Sequence, residues 1–230
     1  MKKFIPIVMT LSLIAGCSSA KPFDSEKVKA KETETNKDVG GSVKPKNKAK
    51  SLTDVYVPNP QVPNDTNLLQ VGKSVKDDKG EMNLLGLAAL NKVYSVGPIE
   101  MKIKNVKLLQ LLPTYSLMDY FHYYTENYED IKYVKVEVEL INKSAKTVQF
   151  GPVAHLETSN GEKKDFKDDF YIEYLGGEIE ANGSKQGSLG FIIEKSSPKP
   201  SWIEITTSDV LDKNNKKVAG AQKIKIDFEY

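Results

Sequence analysis

Arginine is absent from this chain: all 33 basic side chains are lysine. Cysteine occurs once and histidine twice. An intrachain disulfide and a Cys-rich zinc site are therefore excluded, and a zinc site of three or four His, Cys or carboxylate ligands is short of its usual donors. The sequence has no H-x-x-x-H pair, no G-x-S-x-G elbow and no glycine-rich phosphate loop, so the common motifs of zinc proteases, α/β-hydrolases and P-loop enzymes are missing. A strong charge of one sign is missing as well. The 33 basic and 31 acidic groups nearly cancel, which argues against a nucleic-acid partner. No apolar run reaches the about 20 residues that a spanning helix needs. What remains is a 230-residue chain with 39% hydrophobic and 28% charged residues, ordinary for a soluble folded protein.

The amino end reads Met1-Lys2-Lys3, then a mostly apolar stretch from Phe4 to Ile14, then Ala15-Gly16-Cys17. Two lysines followed by a short apolar run have the form of a signal-peptide n-region and h-region. Ile14-Ala15-Gly16-Cys17 resembles the lipobox of bacterial lipoproteins: aliphatic, small, small, cysteine. The resemblance implies cleavage between Gly16 and Cys17. It also implies transfer of a diacylglyceryl group, palmitate being the usual acyl chain, to the Cys17 thiol. The other reading is an ordinary secretory signal with a chance cysteine, but the single cysteine falls where a lipobox needs it. Each buried CH2 contributes about 0.8 kcal/mol, so two acyl chains hold a protein at a membrane where one binds reversibly. Residues 1–16 are expected to be a lipoprotein signal peptide, and the mature protein to be anchored to the membrane rather than embedded in it.

Residues 17–65 are expected to be the lipidated Cys17 followed by a disordered, Lys-rich and Pro-containing tether. From 18 to 50, Val28, Val39, Val43 and Phe23 are the only Val, Ile, Leu or aromatic residues, and nine lysines face five acids. Such a segment buries too little apolar surface to offset chain entropy. As a flexible coil it reaches about 30 Å. Its lysines either cling to anionic headgroups or wall polymers, or simply solvate a spacer. Val55 to Pro63 carries three prolines and reads as an extended tether end or an edge segment packed on the domain. Residues 51–230 hold 22 lysines and 26 acids, a mild excess of acid opposite in sign to the tether.

Period-two alternation dominates the rest. In Ile131–Ile141, Val134, Val136, Val138 and Leu140 fall on one face, with Tyr133, Lys135, Glu137 and Glu139 on the other. Ile224, Ile226, Phe228 and Tyr230 repeat the pattern inward, as do Ile99, Met101 and Ile103. Further strands are expected at Thr147–Phe150, Val153–Thr158, Gln186–Glu194 and Trp202–Thr206. Asn160-Gly161 reads as a two-residue hairpin loop in which both residues accept positive φ. Tyr115–Asp130 lacks alternation, and its Leu117, Phe121 and Tyr124 suit a short helix inserted between strands. For Leu84–Leu90, a helical turn and a buried strand both fit.

These features resemble an immunoglobulin-like domain found in secreted lipoproteins of Gram-positive bacteria. The likeness covers about residues 92–211. It runs through Val136-Glu137-Val138-Glu139-Leu140-Ile141-Asn142-Lys143-Ser144, then Val148-Gln149-Phe150, the Asn160-Gly161 hairpin, and Gly190-Phe191-Ile192-Ile193. It implies a mainly β fold over residues 66–230, an immunoglobulin-like antiparallel β-sandwich with a short helical insertion, preceded by the signal peptide and tether. It implies a cell-surface location and brings no catalytic residues.

No catalytic residue, metal ligand or cofactor is expected. His122 and His155 read as surface or packing residues. Asp165, Asp168, Asp169 and Glu173 offer oxygen ligands, but interleaved lysines make a solvated loop the better reading. The candidate binding patch is aromatic: Tyr115, Tyr120, Phe121, Tyr123, Tyr124 and Tyr128. Six of the eleven tyrosines fall between 115 and 133. Tyrosine offers a large apolar body and a polar tip at low entropy cost, which suits recognition, although these rings equally suit the cap of a β-sandwich. The expected protein is a non-enzymatic lipoprotein on the outer face of the cell membrane. Its partners would be the membrane, through the lipid anchor, and a protein or cell-wall component, with no nucleic acid. The alternatives are a small-ligand-binding or envelope-stress lipoprotein, and a hydrolase. The all-lysine complement suits a low-GC, Gram-positive host.

Overall fold

The structure, a computed structural model, describes residues 59–230. The expected signal peptide, Cys17 and the tether up to residue 58 lie outside the described residues. The described part is mainly β, with one α-helix and antiparallel strands throughout.

The strand with the strongest alternation is central. β5 (Ile131–Asn142) pairs with β4 (Ile99–Pro113) on one side and β10 (Ser184–Ile192) on the other. β4 is long enough to pair twice, with β3 (Lys92–Val96) along its first half and β2 (Gly80–Ala88) along its second. β1 (Ser74–Asp77) completes a sheet of six strands. The stretch Leu84–Leu90, open between helix and strand in the sequence, is strand up to Ala88.

Two sheets of four strands lie against one face of this sheet. One runs β14 (Lys223–Asp227), β11 (Trp202–Thr206), β7 (His155–Thr158), β8 (Lys163–Asp165); the other runs β13 (Lys217–Ala219), β12 (Val210–Asp212), β6 (Val148–Phe150), β9 (Gly177–Ile179). Val134, Val136, Val138 and Leu140 share a core with Phe150, Leu156, Ile203, Ile205, Ile224 and Ile226. Each fully buried side chain of this size contributes roughly 1.5–3 kcal/mol, so this core dominates stability.

A second, smaller core covers the opposite face, and alternation alone did not reveal it. Val62, Leu68, Phe121, Phe170 and Tyr171 pack there on Met82, Leu84, Leu109, Leu111, Ile131 and Tyr133. Tyr133 and Lys135, expected to face solvent, are buried. The physical reason is nonlocal: the 59–70 segment, the helix and the 170–171 segment cover them. Residues 59–65, assigned by sequence to the tether, are thus part of the folded unit. Two bulges keep the strands in phase. The ladder slips between Ile103 and Asn105 in β4 and between Leu84 and Gly86 in β2. Ile99, Met101 and Ile103 thus face the first core, as do Val106 and Leu108 beyond the slip, while Leu109 and Leu111 face the second.

α1 (Tyr115–His122) buries only Phe121. It is shorter than the expected 115–130 element because Tyr124 and Thr125 both donate their N–H to the Phe121 carbonyl, closing the helix in turns. At the Asn160-Gly161 hairpin only Gly161 takes positive φ, +73°; the Asn160 amide instead donates to the carbonyls of Lys195 and Pro198 at 2.7 Å each. Tyr230, expected to point inward, is 53% exposed; its hydroxyl donates to the Pro200 carbonyl and Lys199 stands over its ring. Among the described residues, no helix is long and apolar enough to cross a membrane.

Candidate functional site

The chain between β6 and β7 leaves one small sheet and joins the other through Gly151-Pro152-Val153-Ala154. A cleft of about 820 Å³ opens there. Its floor is first-core material: Phe150, Val153, Leu175 and Leu189. Its walls are Tyr123 and Tyr124 just after α1, and Phe166, Ile172 and Tyr174 from the segment that joins β8 to β9. Tyr123 is 87% exposed, Tyr174 81%, Phe166 62% and Ile172 45%. Single exposed apolar residues are unremarkable, but several around one concavity mark an interaction site.

The backbone that presents two of them is strained. Ile172 has φ +54° and Tyr174 φ +51°. A β-branched residue at positive φ is an outlier, and each such residue costs about 1–3 kcal/mol. The strain is held by the edge of the six-stranded sheet. Phe170 N–H donates to the Gly190 carbonyl at 3.0 Å. Asp169 Oδ1 accepts from the N–H groups of Gly190 at 2.8 Å and Tyr171 at 3.1 Å. Glu173 Oε2 accepts from Ser188 N–H at 2.8 Å, while its Oε1 is buried without a hydrogen-bond partner. Gly190 is required because a Cβ there would overlap the Tyr171 ring. Burial pushes the Asp169 carboxyl up to about 6 against the opposing pull of these N–H groups. Glu173 is likewise pushed up to about 6, chiefly by burial.

Asp169 is also a cleft residue. Among the described residues it makes no ion pair, whereas Asp209, which also lines the cleft, pairs with Lys217 at 2.9 Å. Lys167 places its ammonium 5.8 Å above the Phe166 ring centroid.

The six aromatic residues singled out in the sequence are divided by the fold. Tyr123 and Tyr124 line the cleft, their ring centroids 5.3 Å apart. Tyr120 is half-buried behind them, with its hydroxyl donating to the Phe170 carbonyl at 3.2 Å. Phe121, expected in the binding patch, is fully buried in the second core; it is the one fully buried residue of α1, with Leu117 and Tyr120 packed partly against the same core. Tyr115 is exposed and lies outside the cleft. Tyr128 packs its ring on His122 at 5.0 Å and lines a separate polar hollow of about 580 Å³ with Glu126, Glu129 and Glu194. Phe166, Ile172 and Tyr174 were missed. The signal was present: two aromatic residues in a charged stretch with no strand alternation to bury them.

The acidic side chains of this stretch serve nearby backbone groups. Asp165 and Asp168 cap a single 3-10 turn, Phe166–Asp168, and Asp169 and Glu173 serve the edge of β10. Among the described residues no three His, Cys, Asp or Glu converge as metal ligands. His122 and His155 are both exposed.

No family model matches the chain. Among solved structures, a functionally unknown protein from Listeria monocytogenes EGD-e aligns with TM-score 0.47 and 12% identity, over 65% of this chain and 87% of that one. The yjhA protein from Bacillus subtilis aligns with TM-score 0.37 and 12% identity, over 59% of this chain and 97% of that one. In sequence, the chain is 38% identical over 242 residues to the uncharacterized protein YdhF of Bacillus subtilis (strain 168), covering 99% of this chain and 100% of that protein. At that identity and coverage, the chain belongs to the family of YdhF.

Proposed function

We propose that this protein is a non-catalytic lipoprotein, tethered by acylated Cys17 to the outer face of a Gram-positive cell membrane, which binds its partner through the apolar cleft. The observation that carries the binding role is the strained presentation of Ile172 and Tyr174 beside Tyr123 and Phe166 around one concavity. A chain gains nothing in stability by holding large apolar side chains in water on unfavourable backbone, so the arrangement suits recognition. The immunoglobulin-like β-sandwich reading is supported by the core that the two small sheets share with one face of the large one. The anchor is supported by the Ile14-Ala15-Gly16-Cys17 motif.

Crosslinking on intact cells, comparing wild type with a Tyr123→Ala/Tyr174→Ala variant, tests the cleft. Loss of the crosslinked species is expected, and an unchanged set rejects the cleft as the contact surface. Cys17→Ser tests the anchor. The chain is expected to leave the membrane pellet; retention there with an uncut leader rejects lipidation. The size and apolar lining of the cleft also favour a second reading, capture of a small ligand.

A further inference from the structure

We propose that the cleft binds an amphipathic organic cation, a small molecule with an apolar body and one positive charge. This rests on the small-ligand reading above and narrows it. Three charged side chains line the cleft: Lys167, Asp169 and Asp209. Asp209 is neutralised by Lys217. Lys167 is exposed and rests on the Phe166 ring. Asp169, half-buried, accepts from the backbone N–H groups of Gly190, Tyr171 and Ile172 and makes no ion pair among the described residues.

That leaves one carboxylate without a counter-ion among the described residues, beside exposed aromatic rings. Aromatic faces carry negative quadrupole density and attract cations, more strongly where water is scarce. The contact of Lys167 with Phe166 is an example already built into the rim. A neutral apolar ligand would strip water from Asp169 and return nothing to the carboxylate, and an anion would be repelled by it. A cation with an apolar body satisfies both the floor (Phe150, Val153, Leu175) and the carboxylate.

The test uses the full-length Cys17→Ser chain, which carries no acyl group, titrated by calorimetry with three probes that share one tail: hexyltrimethylammonium, hexanol and hexyl sulfate. The cation is expected to bind about tenfold or more tighter than hexanol, with no binding of the sulfate. Asp169→Asn is expected to erase that preference, and Tyr174→Ala to weaken all binding. Lys167→Ala, an exposed change, is expected to tighten the cation by removing a like charge, which supplies an independent arm if Asp169→Asn folds poorly. Equal affinity for hexanol and the cation overturns the proposal while leaving the cleft as an apolar site. A cation preference that survives Asp169→Asn overturns it as well. Binding of no probe at millimolar concentration also overturns it, and the cell-surface crosslinking then decides separately whether the cleft contacts a macromolecule.

Discussion

Asp65 sits where two lysines of the central sheet would otherwise be buried without a counterion. Lys135 donates to its Oδ1 at 2.6 Å, and Lys107 donates to its Oδ2 at 2.8 Å and its carbonyl at 2.6 Å. All three residues are buried. Burial alone would raise the Asp65 carboxyl, but the two ammonium groups hold it below its ordinary value. Removing the one acid strands two buried cations, so Asp65→Ala is expected to destabilise by about 3–5 kcal/mol in denaturant unfolding. Its depressed carboxyl contributes stability that is present at neutral pH and lost as pH falls through its folded value. Asp169 and Glu173 act in the opposite sense. Their folded values, each about 6, exceed the ordinary 3.8 and 4.5, so the folded state binds their protons more tightly. That contribution is complete below about pH 4 and is lost as pH rises to about 6. Asp169→Asn/Glu173→Gln keeps an acceptor oxygen for each N–H. The double variant is expected to show a flatter melting-temperature profile between pH 4 and 7, with its gain over wild type at the neutral end.

At the scale of elements, the segment Phe166–Tyr174 trades stability for presentation. Ile172→Gly removes the Cβ penalty of a left-handed backbone and is expected to raise stability by about 1 kcal/mol while weakening whatever the cleft binds. A melting curve and the hexyltrimethylammonium titration together check both halves. Gly190→Ala is expected to cost about 1–3 kcal/mol by forcing the Tyr171 ring off β10. Much of the fold was legible in single strands. Val134, Val136, Val138 and Leu140 declared their buried face by alternation, and Trp202–Thr206 has the expected bounds. The face of Tyr133 and Lys135 was not legible, because a strand covered on both sides at one end has no local mark of the second cover. The cleft was half legible. Tyr123 and Tyr124 stood in a dense tyrosine run, and Phe166 and Tyr174 in a charged stretch without alternation, whereas the positive φ of Ile172 is something its β-branched residue type does not request.

For the whole molecule, the folded unit reaches back to Asn59, whose amide donates to the Tyr171 carbonyl at 3.2 Å. Val62, Asp65 and Leu68 are part of the second core and its ion cluster. A chain starting at residue 59 keeps Asn59, Val62, Asp65 and Leu68 and is expected to unfold cooperatively. One starting at residue 66, the boundary drawn from composition, exposes Lys107 and Lys135 and is expected to fold poorly or not at all, as circular dichroism melts will report.

The carboxylates of Asp169 and Glu173 also bear on self-association. They occupy the outward amides of Gly190 and Ser188 on β10, the positions where a neighbouring chain would extend the sheet. With these two donors engaged, the middle of that margin is a poorer template for a further copy. At these two positions the six-stranded sheet is closed to edge-to-edge addition of a further strand, which disfavours open-ended association of copies through β10.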